Sequence, residues 1–253
     1  LSTACELLGC SERYGDLIRM MEKRGASLRS YVRLFYWMDR ERLNQIHRFR
    51  PEQFGADAEN MLNIHPESIP DWMDGWLDHQ GGYLVGNVGP SRIDFRFFAL
   101  GNLLASLFGL IADEDARRIL HLYGQRWECL VGEMPLKICY PAVAGDEWQF
   151  LTGSDPKNAP WSYHNGGNWP VLLWPFVGAA LRVGREDLAQ SAVAIAEERL
   201  AADEWPEYYD GRTGSLIGRR ANFRQTWSAT AYLVSRLLLD DPDCRGRFEG
   251  MMF

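Results

Sequence analysis

Residues 161–170 read Trp161-Ser162-Tyr163-His164-Asn165-Gly166-Gly167-Asn168-Trp169-Pro170, and an apolar run over 171–181 follows at once. Gly166-Gly167 bends the chain where side chains would obstruct it. The ten residues therefore read as a loop at the N-terminus of a core helix spanning 169–183. A second helix over 185–202 follows Gly184, so the pair reads as a hairpin turned at that glycine.

Working outward, the same helical periodicity recurs. Residues 3–23 put Leu7, Leu8, Leu17, Ile18 and Met21 on one apolar face. Residues 27–47 do so with Leu28, Val32, Phe35, Tyr36 and Leu43, and Ser27 is a candidate N-cap. Residues 94–111 and 113–131 read as another hairpin, closed by Asp113-Glu114-Asp115. Residues 225–240 read as a last helix, ended by Asp241-Pro242. Short strands are expected near 81–88 and 215–217. Between the helix pairs lie long loops, 48–93, 132–168 and 203–224, rich in aromatic, Gly, Pro and polar residues. Helices forming a wall, with chemically loaded loops at one end, is the organisation of an all-α toroid. No Pro-rich or Ser-rich linker divides the chain, so 1–253 reads as one unit.

Composition narrows the function classes. A net charge of −7 lacks the basic patches that nucleic acid requires. No apolar stretch reaches the roughly 18 residues that span a bilayer. Five Cys without CxxC spacing argue against a zinc site or disulfide framework and for a reducing compartment. Five His without paired spacing predict no metal site. There is no GxSxG, Walker loop or GxGxxG. Cys139 has no evident His partner and reads as a buried thiol. The chain opens Leu1-Ser2-Thr3 with a helix-like segment rather than a signal peptide, as expected of a sequence entered part-way through a longer protein.

The chemistry gathers in the loops. Ten Trp is a high count, and Trp161, Trp169, Trp205 and Trp227 sit beside polar residues rather than inside apolar runs. Flat aromatic faces with fixed amides suit a sugar ring, which has apolar CH faces and an equator of hydroxyls. In Trp205-Pro206-Glu207-Tyr208-Tyr209-Asp210, a carboxylate lies among aromatics. Such a group is either a solvated loop Glu or a partly desolvated one suited to acid–base work, and the flanking rings favour the second. Asp94 and Arg96 are placed by this reading at a helix start, as a cap and ion pair or as holders of sugar hydroxyls. Asp155-Pro156 is turn chemistry, close enough to His164 for a supporting role. His164 is either structural or functional. Thr226 or Ser228 is a candidate cap, and Trp227 a candidate floor for a sugar subsite.

Ile93-Asp94-Phe95-Arg96-Phe97-Phe98, Met134-Pro135-Leu136-Lys137-Ile138-Cys139-Tyr140-Pro141, Gly153-Ser154-Asp155-Pro156-Lys157-Asn158, residues 161–170 and residues 205–210 together closely resemble the alkaline and neutral invertases, glycoside hydrolase family 100. The resemblance runs from about residue 28 to about residue 242. It implies an (α/α)6 barrel of which this chain is the C-terminal portion. It also implies sucrose hydrolysis to glucose and fructose with inversion at the glucosyl carbon, no metal or other cofactor, a cytoplasmic or organellar location and homo-oligomers. Glu207 matches the family's general base. Asp94, Arg96, Tyr163, His164, Asn165, Trp169, Tyr208, Gln225 and Trp227 fall in motifs that line its pocket. Inverting hydrolysis needs two carboxylates roughly 6.5–9.5 Å apart. The family's acid lies in an Asp-Arg-Arg-Met-Gly-Ile motif absent here, and Asp39, in Met38-Asp39-Arg40, is not its substitute. Two other readings stand beside this one: a truncated product that binds sugar or partner subunits without turnover, and a related α/α-barrel glucosidase with another substrate.

Overall fold

The computed structural model describes residues 14–48, 60–217 and 222–252. Helices dominate. They are α1 (Gly15–Tyr36), α2 (Arg40–His47), α3 (Ala99–Leu107), α4 (Asp113–Gln125), α5 (Trp127–Leu130), α6 (Gly145–Thr152), α7 (Leu173–Arg182), α8 (Glu186–Arg199), α9 (Thr226–Asp240) and α10 (Pro242–Met252). The α7–α8 hairpin forms as expected, with Gly184 at φ +76° in its turn. Helix α9 packs across both members, and α3 packs on α7.

A four-stranded antiparallel sheet accompanies the helices: β1 (Trp37–Asp39), β2 (Gly82–Gly89), β3 (Arg92–Phe98) and β4 (Cys139–Tyr140), in that spatial order. It corrects the all-α expectation. Strand β2 falls where a strand was expected, but residues 94–98 belong to β3 and not to a helix. The physical reason is a period of two. Ile93, Phe95 and Phe97 are buried on one face, while Asp94 and Arg96 lie on the other. Pairing with β2 (Val85↔Phe97, Asn87↔Asp94) provides the ladder partners. The helix begins only at Ala99, and Asp94 caps nothing.

The N-terminal expectation is also corrected. Residues 15–36 form one continuous helix, so Ser27 lies inside it rather than capping a new one. The chain then extends through β1 before α2 starts, because Trp37, Met38 and Asp39 pair with Leu84, Tyr83 and Gly82. Asp39 caps α2 by accepting from the Arg42 N–H. Residues 3–13 of the first expected helix lie outside the described residues. The expected strand near 215–217 is reduced to a single bridge, Tyr209↔Leu216.

Sheet and helices share one core. Tyr83 packs on Phe97, Phe97 on Tyr123, and Tyr123 on Phe176, at centroid separations of 5.5, 5.3 and 4.9 Å. All four rings are fully buried, each contributing about 1.5–3 kcal/mol by leaving water. Asn102 of α3 locks onto β2: its Oδ1 accepts from Leu84 N–H, and its Nδ2 donates to the Leu84 and Phe98 carbonyls. The loops between these elements are thereby presented from a rigid base.

Candidate active site

Glu207 sits on the loop that follows α8, and that loop is tied down residue by residue to the start of α9. Arg224 N–H donates to Glu204 O, Gln225 N–H to Trp205 O, and Glu207 N–H to Asn222 O, at 2.8, 2.9 and 2.7 Å. Ser228 Oγ, fully buried, donates to Pro206 O at 2.8 Å. Ser228 is therefore a strut for the loop and not a helix cap, and Gln225, not Thr226, occupies the cap position. On its other side the loop pairs with the 161–170 segment. Asn168 and Tyr209 exchange both backbone hydrogen bonds, and Gly211 N–H donates to Trp161 O. Among the described residues of these loops, five that are not glycine, Trp161, Tyr163, Glu204, Trp205 and Arg224, hold positive φ. Such strain persists only where the surroundings over-determine it, and it concentrates at functional sites.

The Glu207 side chain is nearly buried, at 8 % exposure. Its Oε2 accepts a hydrogen bond from Asn222 Nδ2 at 2.7 Å and lies 3.9 Å from Lys157 Nζ. A buried carboxylate needs such partners, since an unpaired buried charge is costly. The loop Glu is thus not simply solvated.

Beside it stands a stack of rings. His164 lies nearly parallel to Trp169 (5.0 Å, 27°), and Trp169 to Tyr208 (5.5 Å, 19°). Tyr163 stacks on His164 at 4.0 Å, and Trp227 meets Trp169 edge-on at 5.8 Å. Trp169 and Tyr208 are buried, whereas His164 and Trp227 are exposed. The ring surface left accessible in this stack belongs to His164 and Trp227, with Trp169 and Tyr208 packed beneath and the half-buried Tyr163 covered by His164 on one face and by Lys157 Nζ on the other. Burial holds the His164 imidazole below its ordinary pKa; the Lys157 ammonium adds to that, and Glu207 opposes it.

Asn165 performs a different task from its neighbours. Its Oδ1 accepts from Val143 N–H at 2.8 Å, and its Nδ2 donates to Val143 O and Asn158 O. It anchors the loop. The Gln225 amide donates to Phe223 O at 3.3 Å, beside the loop ties. Asp94 and Arg96 form a two-pronged ion pair on β3 (Nε–Oδ1 2.9 Å, Nη2–Oδ2 2.5 Å). They border a separate groove of about 470 Å³ with Trp72, residues 141–144 and Glu147. Val143, held by Asn165, lines that groove, so the two regions share a wall.

Cys139 is buried, its thiol pushed up to about 11 by burial, as suits an inert thiol. Asp39 accepts from Trp37 Nε1, Arg42 N–H and Arg118. Burial pushes its pKa up, but these donors together with Arg118's charge outweigh that and hold it below the ordinary value, so Asp39 is a poor proton donor. Lys157 and Asn222, the partners of Glu207, were not singled out from sequence. Lys157 lay in a segment read as a turn, and no periodicity links it to a residue 50 positions on.

The sequence profile of the alkaline and neutral invertases matches residues 1–242. The chain belongs to this family. It is 48% identical over 243 residues to neutral/alkaline invertase 1, mitochondrial, of Oryza sativa subsp. japonica, covering 96% of this chain and 39% of that protein. It is 46% identical to alkaline/neutral invertase E, chloroplastic, of Arabidopsis thaliana (96% and 39%) and 46% identical to cytosolic invertase 1 of rice (97% and 44%). The chain thus spans less than half the length of these invertases. Their names span three compartments, so membership of the family does not choose one. Among the described residues no helix is long and apolar enough to cross a membrane.

Proposed function

We propose that this chain carries the general-base side of a sucrose-hydrolysing site, with Glu207 activating water for inversion at the glucosyl carbon. The observation that carries the reading is the Glu207 carboxylate: buried, gripped through Oε2, and set against an aromatic stack in the motif shared with invertases. The two described partners, Asn222 and Lys157, both hold Oε2, and Oε1 is assigned to accept the proton. His164 and Trp227 face the sugar, Tyr163, Trp169 and Tyr208 support them, and Asn165 and Gln225 hold the loops. Asp94 and Arg96 reach hydroxyls from the neighbouring groove. The paired helices are hairpins of an (α/α)6 barrel. The acid carboxylate, and the rest of the barrel wall, belong to a part of the invertase polypeptide outside this chain, and the assembled enzyme is a homo-oligomer needing no cofactor.

The test is glucose release from sucrose, measured on the 253-residue chain and on a polypeptide of the relatives' full length, each with and without Glu207→Gln. Turnover is expected in the longer polypeptide, falling by roughly 10²–10⁴ in the variant. Near-normal activity of Glu207→Gln refutes the assignment. The short span relative to known invertases favours one second reading, sugar binding by this chain without turnover. It predicts sucrose quenching of the site tryptophans with no glucose released. Profiling other glucosides on the longer polypeptide separates an invertase from a glucosidase of different specificity.

A further inference from the structure

The 155–158 turn carries Lys157, whose approach to Glu207 has so far been given no task of its own. Asp155 fixes it from within: Oδ1 accepts the Lys157 N–H at 3.0 Å, and Oδ2 accepts Asn158 Nδ2 at 2.7 Å. Asn158 fixes it from outside. Its Oδ1 accepts the His164 N–H, and its carbonyl accepts from Asn165 Nδ2 and Trp148 Nε1. A turn held at both ends delivers the Lys157 side chain to one place. There Nζ lies 3.8 Å from the centre of the Tyr163 ring and 6.0 Å from that of Tyr208. The same Nζ lies 3.9 Å from Glu207 Oε2, the oxygen already bonded to Asn222. At that distance the hold is electrostatic rather than a hydrogen bond.

We propose that Lys157 is a positioning residue for Glu207: with Asn222 it grips Oε2 from two sides and thereby aims Oε1 at the attacking water. The proposal rests on Glu207 being the base. It assigns to the Asp155-Pro156-Lys157-Asn158 turn the task of setting that aim, while the ring faces of Tyr163 and Tyr208 keep the cation from swinging into solvent. Without the cation the carboxylate keeps the Asn222 donor at 2.7 Å and loses the charge that draws Oε2 towards Lys157.

The Asn222 side-chain amide reports the grip directly. Its ¹H–¹⁵N resonances are followed in the full 253-residue chain for the wild type, Glu207→Ala, Lys157→Met, Lys157→Gln and Lys157→Arg. Glu207→Ala defines the released position. Lys157→Met and Lys157→Gln are expected to carry the resonances at least halfway there, and Lys157→Arg to keep them near the wild-type position. Lys157→Gln provides the answer should the Met variant fail to fold. The proposal is overturned if the resonances stay put in both neutral variants, as they do when the lysine only touches ligand. It is equally overturned if Arg moves them as far as Met. The readout involves no turnover, so a failure of Glu207 as base, seen in hydrolysis, is distinguishable from a failure of the lysine grip.

Discussion

Replacing Asn165 by Ala separates an anchor from a sugar contact. Asn165 and Val143 are 4 % and 5 % exposed, and the Asn165 amide makes three hydrogen bonds, two to the backbone of Val143 and one to Asn158 O. Truncation strands the N–H and C=O of Val143 where water reaches poorly, whereas the half-buried Asn158 carbonyl keeps its bond from Trp148 Nε1 at 2.6 Å. Each buried group left unpaired costs about 1–3 kcal/mol. With partial relaxation, the two stranded groups sum to about 2–4 kcal/mol. For a chain of 253 residues that corresponds to a fall in Tm of about 4–8 °C. Urea unfolding followed by tryptophan fluorescence measures it, as a lower midpoint at unchanged slope. A loss below about 1 kcal/mol refutes the reasoning. It would mean that these three bonds do not hold the loop, and a variant that kept full stability but lost sugar affinity would make Asn165 a ligand contact instead.

Other outcomes follow from the same geometry. A Cβ at Gly211 would lie 1.7 Å from Gly166 O, backbone against backbone. Gly211→Ala is therefore expected to push apart the two site loops and cost about 3 kcal/mol or more, read by thermal unfolding; a Tm within a degree of wild type contradicts it. His164 titrates below its ordinary value of 6.5, by burial first and then Lys157, against Glu207. Lys157→Met is expected to raise its midpoint and Glu207→Gln to lower it, measured from the ring ¹H–¹³C signals against pH. The opposite signs break the triangle. Because the folded imidazole takes up a proton less readily than the unfolded one, its contribution to stability is present above pH 6.5. That contribution is lost as pH falls through the lowered midpoint.

Residues 169–202 form a helical hairpin because each helix is determined by neighbours a turn away and by Gly184 at the bend. Local periodicity of that kind is legible in sequence, and so is the loop chemistry of 161–170 and 205–210, since it consists of adjacent residues. The family followed from the same adjacent motifs. Residues 94–98 were misread because Ile93, Phe95 and Phe97 fit a strand only when β2 lies alongside, and β2 is a separate segment. The sugar-facing rings could not be told from the supporting ones. Trp169 and Trp227 look alike in sequence, and only packing buries the first and leaves the second exposed. The carboxylate at 207 was visible, but its partners were not, because Lys157 comes from another loop and Asn222 lies 15 residues further along the same one. Sequence by itself determined what is encoded over a few residues: the helices, the turns and the chemical character of each loop. Tertiary structure decided which strand pairs, which ring is covered and which cation faces Glu207, because those outcomes depend on groups far apart in the chain that become neighbours only once the core has packed.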